Sequence, residues 1–329
     1  MKRYAIIGFG GLGKKHFLNL LEIEKKRNDI QLVAICNSSI ESIFENITIN
    51  IGTTELSGVD FSKYNLYTDY KEMIEKENLD FVINTLPSHL HHPIGAYCLE
   101  RGISVFVEKP MALSEDECAD MISLAEKNNC RLMVGQVLRF FPIYNDVKNL
   151  IETEKYGKPV KAEFVRRSPL PMWSFENWLL DEKKCGGSVV DFHVHDLDMM
   201  LWLFGNPKNV HVLSTSSMVD YESMYALYEY DGFIASIITD WGIPTTYTFN
   251  SSFRITLEKA FIETIGDESY LYTNEKKEKI ELPSTDPFVE EMEEFIEGFI
   301  SGKPFKKASI ESVYETMKLC FKQKKMLKR

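Results

Sequence analysis

The residues best suited to chemistry in this 329-residue chain stand in a few short segments. Glu108-Lys109-Pro110 is the first: the proline keeps the lysine backbone extended or turned, so that its ammonium can reach across a crevice. The second is Asp191-Phe192-His193-Val194-His195-Asp196-Leu197-Asp198, which follows Gly186-Gly187. On a helix, Asp191, His195, Asp198 and Trp202 share one face, and Val190, Val194, Leu197 and Leu201 form an adjacent apolar stripe. An aspartate one turn from a histidine can orient a base that exchanges protons near neutral pH. The same pair has the i, i+4 spacing of metal ligands, and a merely solvated face is a third reading. His193 and His195, however, point about 200° apart on a helix, so both cannot join one metal site unless the segment begins extended. No metal is expected.

Pro87-Ser88-His89-Leu90-His91-His92 places three histidines in four positions at the end of an apolar run. One or two of them are expected to touch cofactor or substrate. Pro169-Leu170-Pro171-Met172-Trp173, followed by Trp178, offers aromatic area that could stack on a sugar ring or be buried in a core or subunit contact.

These segments need elements to position them. Tyr4-Ala5-Ile6-Ile7 reads as a buried strand, runs into Gly8-Phe9-Gly10-Gly11-Leu12-Gly13, and is followed by a helical stretch to about Lys26. A strand feeding G-x-G-x-x-G into a helix is the dinucleotide-binding turn. Its glycines allow a tight turn, a close approach of backbone to pyrophosphate, and close packing of helix on strand. Strand patterns then recur at 32–36, 81–84, 104–107 and 131–134, alternating with helices that begin near Asp69, His91 and Ser114. Glu117 is spaced as the capping-box partner of Ser114. Such alternation predicts a parallel, doubly wound sheet over residues 1–136. From 137 to 329 the pattern changes to period-two segments at 160–167, 208–216, 224–230, 233–240 and 252–257, with helices near 176–180, 189–204, 287–301 and 309–327. An α+β domain with an open, largely antiparallel sheet is expected there. The connection from Asn37 to Tyr64 reads as polar and irregular.

Composition narrows the function. A formal net charge of −11 disfavours binding to a phosphate backbone, and the basic run from Lys318 to Arg329 reads as a solvated final helix. The six cysteines are scattered without a C-x-x-C pair, as expected of reduced thiols in the cytoplasm. No signal-peptide pattern precedes the first strand and no apolar run approaches spanning length, so no membrane partner is expected.

Taken in order, Gly8 to Gly13, Tyr67-Thr68-Asp69-Tyr70, Pro87 to His91, Glu108-Lys109-Pro110, Arg139-Phe140-Phe141-Pro142 and Gly187 to Asp198 resemble the family of glucose–fructose oxidoreductase, inositol dehydrogenase and the MocA-type proteins. The resemblance covers essentially the whole chain. It implies a Rossmann domain, a sheet domain used for substrate binding and for forming a homodimer or homotetramer, and a nicotinamide held between them. It implies Lys109, Asp191 and His195 as the catalytic trio, with a cis Lys109–Pro110 peptide. The cofactor, NAD or NADP, is expected at Gly8, Gly10, Gly11, Leu12, Gly13, Asn37, Ser38, Thr85, Pro87, His91, Glu108 and Lys109; substrate is expected at Lys109, Arg139, Trp178, Asp191, His193 and His195.

The implied reaction moves hydride between the nicotinamide and a secondary alcohol or ketone of a sugar, inositol or related polyol. A glycoside hydrolase with retained NAD and a non-catalytic dinucleotide sensor are the alternatives. Asn37 stands where the family commonly has an acid for the adenosine ribose, and no arginine stands beside it to attract a 2′-phosphate, so NAD is favoured over NADP. His193 replaces the glycine usual between aspartate and histidine, and could bind substrate or relay a proton.

Overall fold

The computed structural model describes residues 1–49 and 52–327; Asn50 and Ile51 of the long connection, and Lys328 and Arg329 of the basic run, lie outside the described residues. The first part comprises β1 (Lys2–Ile7), α1 (Gly11–Glu24), β2 (Ile30–Cys36), β3 (Ile47–Ile49), β4 (Gly52–Thr54), β5 (Asn65–Tyr67), α2 (Tyr70–Lys76), β6 (Phe81–Asn84), α3 (His91–Leu99), β7 (Ser104–Glu108), α4 (Glu115–Lys127) and β8 (Leu132–Gly135). There follow α5 (Pro142–Glu152), β9 (Pro159–Pro169), α6 (Glu182–Cys185), a π-turn over Val189–His193, α7 (Val194–Phe204), β10 (Asn209–Thr215), β11 (Ser223–Glu229), β12 (Ile234–Ile243), β13 (Asn250–Leu257), β14 (Phe261–Ile265), β15 (Glu268–Tyr272), β16 (Lys277–Lys279), α8 (Pro287–Ser301) and α9 (Ile310–Leu327). They form two compact units, Met1–Gln136 with Phe288–Glu311, and Val137–Pro287 with Ser312–Arg329.

The first unit is built on a six-stranded sheet in the order β5-β2-β1-β6-β7-β8, with all pairs parallel. Every residue of β6, β7 and β8 is buried, which is why these strands read as unbroken apolar runs rather than alternating ones. The chain starts in mid-sheet, winds outward to β5, and returns to β6 beside β1. That reversal opens a crevice at the carboxyl ends of β1 and β6, the usual ligand position in such sheets. Local signals set the helix starts. Asp69 accepts the Lys71 N–H and Ser114 accepts the Glu117 N–H, with Glu115, Asp116 and Glu117 in the positive first turn of α4. The Glu117 carboxylate reaches back to the Leu113 N–H at 2.9 Å, one residue earlier than a capping box requires.

Two expectations need correction here. The second domain does not run uninterrupted from 137 to 329, because Phe288–Glu311 returns to the first unit. The Phe295 ring of α8 lies 5.4 Å from Phe81 and 5.7 Å from Phe106, so the helix covers the parallel sheet. Nor is the connection from Asn37 to Tyr64 irregular throughout: β3 and β4 pair in it, and Phe61 stacks on Phe17 of α1 at 5.6 Å.

The second unit carries an eight-stranded sheet in the order β10-β11-β12-β9-β13-β14-β15-β16. It is antiparallel except for the central β9–β12 pair. In β11, Met224, Ala226 and Tyr228 are buried while Tyr225 and Leu227 are exposed, so one face of the sheet is packed and the other open. No helix among the described residues is long and apolar enough to cross a membrane.

Candidate active site

In the first unit the glycine turn lies at the carboxyl end of β1. Gly8 takes φ +92°, a conformation open to glycine, and a Cβ on Gly13 would lie 2.1 Å from the Gly8 carbonyl oxygen. Those two glycines are required by the protein itself. Gly10 is not: a Cβ there would meet nothing within 4 Å among the described residues. The space in front of it is what a pyrophosphate needs to approach the backbone. The first turn of α1 has no acidic side chain, and Gly10 offers no side-chain cap, so its N–H groups remain suited to an anion. Across the crevice, Thr85 donates its hydroxyl to the Gly8 carbonyl, which fixes the two strand ends to each other.

Several residues expected at the cofactor have their side chains engaged in shaping the site. Asn37 Oδ1 accepts the Phe9 N–H at 2.9 Å, while its amide donates to Ser42 Oγ at 2.7 Å and to the Ser39 carbonyl at 3.1 Å. Ser39 Oγ in turn donates to Glu41. His91 is 1% exposed, with Nδ1 and Nε2 each 2.7 Å from a carbonyl oxygen, of Pro110 and of Leu86. Its expected ligand contact is therefore replaced by a structural one: the ring ties α3 to the turn after β7. Burial, above all, lowers its pKa from the ordinary histidine value, while the two carbonyl acceptors pull in the opposite direction. That turn holds Lys109 at the carboxyl end of β7, before a cis peptide to Pro110.

In the second unit the segment from Asp191 to Asp198 begins in the π-turn and continues into α7, so a simple 3.6-residue period does not describe it. The expected shared face of Asp191, His195, Asp198 and Trp202 fails in one member. Asp198 is fully buried, held by Arg139 at 2.6 and 2.8 Å and by the Thr316 hydroxyl at 2.9 Å. Asp196, also fully buried, is held by Arg166 at 2.7 and 3.1 Å. Arg139 is 1% exposed and also donates to Ser312, so its expected role at substrate gives way to clamping α7.

His193 is corrected in the same way. It is 0% exposed, with Nδ1 2.9 Å from Thr239 Oγ1 and Nε2 3.0 and 3.2 Å from Gln323 and the Tyr228 hydroxyl. A ring so enclosed neither meets substrate nor relays a proton to it. Burial lowers its pKa to about 4. Trp178 packs against Leu179, Cys185, Phe192 and Trp241, a small core that braces the π-turn, whereas Trp173 is 48% exposed. What remains of the motif is Asp191, 6% exposed, and His195, the one titratable member with appreciable exposure.

A glycine turn at the switch point of a doubly wound sheet, joined in one chain to an open-sheet unit, is the architecture of a Rossmann-type dinucleotide-binding protein. The chain belongs to the Gfo/Idh/MocA oxidoreductase family. Residues 2–136 match the model of its NAD-binding Rossmann fold and residues 144–263 that of its C-terminal domain. It is 28% identical over 203 residues to a 2,7-anhydro-N-acetylneuraminate hydratase of Mediterraneibacter gnavus, covering 61% of this chain and 49% of that one. It is 28% identical over 204 residues to scyllo-inositol 2-dehydrogenase (NAD(+)) of Bacillus subtilis, covering 62% and 54%. The chain thus spans about half the length of the curated relatives it matches. Among solved structures, UDP-N-acetylglucosamine 3-dehydrogenase of Acidithiobacillus ferrooxidans shares the fold with a TM-score of 0.77 at 17% identity, over 99% of this chain and 97% of that one. Biliverdin reductase of Synechocystis, solved with biliverdin and NADP+, does so with a TM-score of 0.80 at 15% identity, over 99% of each chain.

The geometry of the turn makes a direct prediction. Gly10→Val leaves the fold undisturbed but puts side-chain atoms into the space in front of the turn, so dinucleotide binding followed by fluorescence titration is expected to be lost. Retained affinity would show that phosphates do not bind at this turn.

Proposed function

We propose that the chain is an NAD(P)-dependent oxidoreductase that moves hydride between a nicotinamide and a secondary alcohol or ketone of a sugar, inositol or related polyol. The observation that carries this reading is the division of labour within the motif. Asp196, Asp198 and His193 are locked in the interior, whereas His195 keeps the exposure that a proton-transfer group needs. A bound nicotinamide supplies the hydride chemistry. In the oxidative direction the His195 imidazole takes the hydroxyl proton as the carbinol C–H bond gives up its hydride. The Lys109 ammonium stabilises the oxyanion that develops. Asp191, four residues from His195, orients the base or the substrate.

NAD is the favoured cofactor. The segment after β2 presents Asn37, whose amide is already engaged, and the Glu41 carboxylate beside Ser39. A 2′-phosphate near that carboxylate would be repelled. The test is turnover of a panel of sugars, inositols and their keto forms, read as nicotinamide absorbance with NAD(H) and NADP(H) in parallel. A second reading, catalysis with retained cofactor and no net redox change, is favoured by the likeness to the hydratase. It is separated from the first by product formation without accumulation of reduced cofactor.

The partner proposed for the open sheet face is a second copy of this chain. Leu213, Tyr225, Leu227 and Ile234 are 77%, 58%, 56% and 57% exposed, and Leu213 stands opposite Tyr225 in the β10–β11 register. An apolar face of this kind is what a subunit contact buries. Light scattering is expected to report a dimer or tetramer that Leu227→Glu dissociates. A parent chain that is monomeric at micromolar concentration would contradict it.

A further inference from the structure

Beneath the lysine turn, three titratable groups meet in the interior of the first unit: His16 of α1, Glu108 at the end of β7 and Glu291 of α8. They are 0%, 6% and 0% exposed, and one ligand-type atom from each lies within 4.8 Å of the other two. Glu108 is fully engaged. Its Oε1 is 2.6 Å from His16 Nε2, and its Oε2 accepts the Lys109 backbone N–H at 3.2 Å. A Cβ on the neighbouring Gly135 would lie 3.2 Å from that same Oε2, so the strand beside it leaves the carboxylate just enough room. Glu291 is the opposite case: among the described residues neither of its carboxyl oxygens has a hydrogen-bond partner.

Two carboxylates this close cannot both stay ionised in a dry interior without a compensating positive charge. That charge is supplied either by a metal ion or by a proton. The contacts favour the proton. His16 Nε2 and both oxygens of Glu108 are already taken, and the His16 ring is flanked edge-on by Phe106 at 5.4 Å and Phe288 at 5.8 Å. Phenyl rings supply no ligand atoms, and the 2.6 Å between His16 Nε2 and Glu108 Oε1 is a hydrogen-bond distance that leaves no room for an ion between those two atoms.

We propose that Glu291 is a positioning residue for the lysine turn: it stands as a neutral carboxylic acid beside Glu108, leaving Glu108 as the single anion that holds the Lys109 backbone through its N–H. Burial, and after it the charges of Glu108 and Glu294, push the Glu291 carboxyl well above the ordinary range. The titratable and charged groups around it are His16 and Lys15 on α1, Glu108 and Lys109 at the end of β7, His91 on α3, which senses the Glu108 charge, and Glu290 and Glu294 on α8 itself. Glu294 accepts the Lys307 and Ala308 N–H groups, and Glu290 pairs with Lys307. The catalytic consequence rests on the role proposed above for Lys109; the protonation state does not.

The test uses the full chain with Glu291→Gln and Glu291→Ala. The infrared spectrum of the parent at neutral pH should contain the carbonyl stretch of a protonated carboxylic acid that Glu291→Gln lacks. A folded-state acid that holds its proton more tightly than the unfolded chain, where Glu titrates near about 4.3, stabilises the fold at low pH and loses that contribution as pH rises through the folded value. The parent melting temperature should therefore fall more steeply toward alkaline pH than that of Glu291→Gln. Glu291→Ala opens a cavity beside Glu108 into which that carboxylate can swing, so kcat should fall roughly 10- to 100-fold through misplacement of the turn, with KM for the dinucleotide unchanged; Glu291→Gln fills the same space without charge and should restore most of it. The proposal is overturned if the infrared band is absent, or if the purified parent carries a stoichiometric divalent ion that Glu291→Gln loses. It is overturned equally if Glu291→Gln is as impaired as Glu291→Ala. If no polyol is turned over, the infrared and melting results still decide the carboxyl, so the two readings fail separately.

Discussion

Changing His195 to alanine is expected to lower kcat for the polyol–nicotinamide reaction by ~10²–10⁴, the range that removal of a positioned general base produces. Affinity for the dinucleotide should be unchanged. The glycine turn, Asn37 and Thr85 all belong to the first unit, whereas His195 belongs to the second, so binding and proton transfer can be read apart. The pH profile should change with the rate: the limb that reports imidazole ionisation in the parent should vanish in the residual activity of the variant. Lys109→Met should show a comparable loss without removing that limb, because the lysine acts on the oxyanion and not as the base. The double variant should fall little further than the worse single one, since groups that serve one transition state are not additive. Equal pH profiles in parent and His195→Ala would remove histidine from the proton-transfer role.

The second large effect is on stability. Arg139→Ala is expected to destabilise the second unit by about 3–5 kcal/mol, because it leaves the Asp198 carboxylate buried without its guanidinium. Arg139 and Asp198 are each 1% exposed at the side chain, so solvent does not screen the loss. Arg139→Lys should recover only part of it, since an ammonium cannot reproduce the paired contacts at 2.8 and 2.6 Å. Arg139→Met combined with Asp198→Leu should recover more than either single change, as removal of both charges leaves no buried ion unpaired, although the Ser312 and Thr316 hydroxyls lose their partners. Chemical denaturation of these five variants measures this directly. A single Arg139→Ala change that costs less than about 1 kcal/mol would place the pair among exposed ion pairs and contradict its burial.

The parallel sheet was legible because both of its faces are covered, so Phe81–Asn84 and Ser104–Glu108 read as apolar runs, and because the spacing of Gly8, Gly10 and Gly13 has one economical geometric explanation. What covers a helix is a different matter. The apolar face of α8, with Met292, Phe295 and Ile296 buried, announces that it packs, but not that it packs on the strands that carry Phe81 and Phe106, far earlier in the chain. For the same reason the sequence pattern could name Asp191 to Asp198 as a reactive segment without sorting its members. The partners that remove Asp196 and Asp198 from chemistry are Arg166 and Arg139, 30 and 59 positions away, and the enclosure of His193 depends on Tyr228, Thr239 and Gln323. The π-turn over Val189–His193 breaks the 3.6-residue period on which the expected face relied. Glu291 carries a signal as the one charged residue on the otherwise apolar buried face of α8, whereas His16 shares the buried face of α1 with Lys14 and Asn19 and does not stand out.

The most direct test of the central claim is nicotinamide absorbance on the purified chain mixed with NAD and a panel of sugars and inositols, run beside His195→Ala. The account predicts substrate-dependent reduction of NAD by the parent and almost none by the variant. Tight dinucleotide binding with no turnover of any alcohol or ketone, or turnover that survives loss of His195, would contradict it.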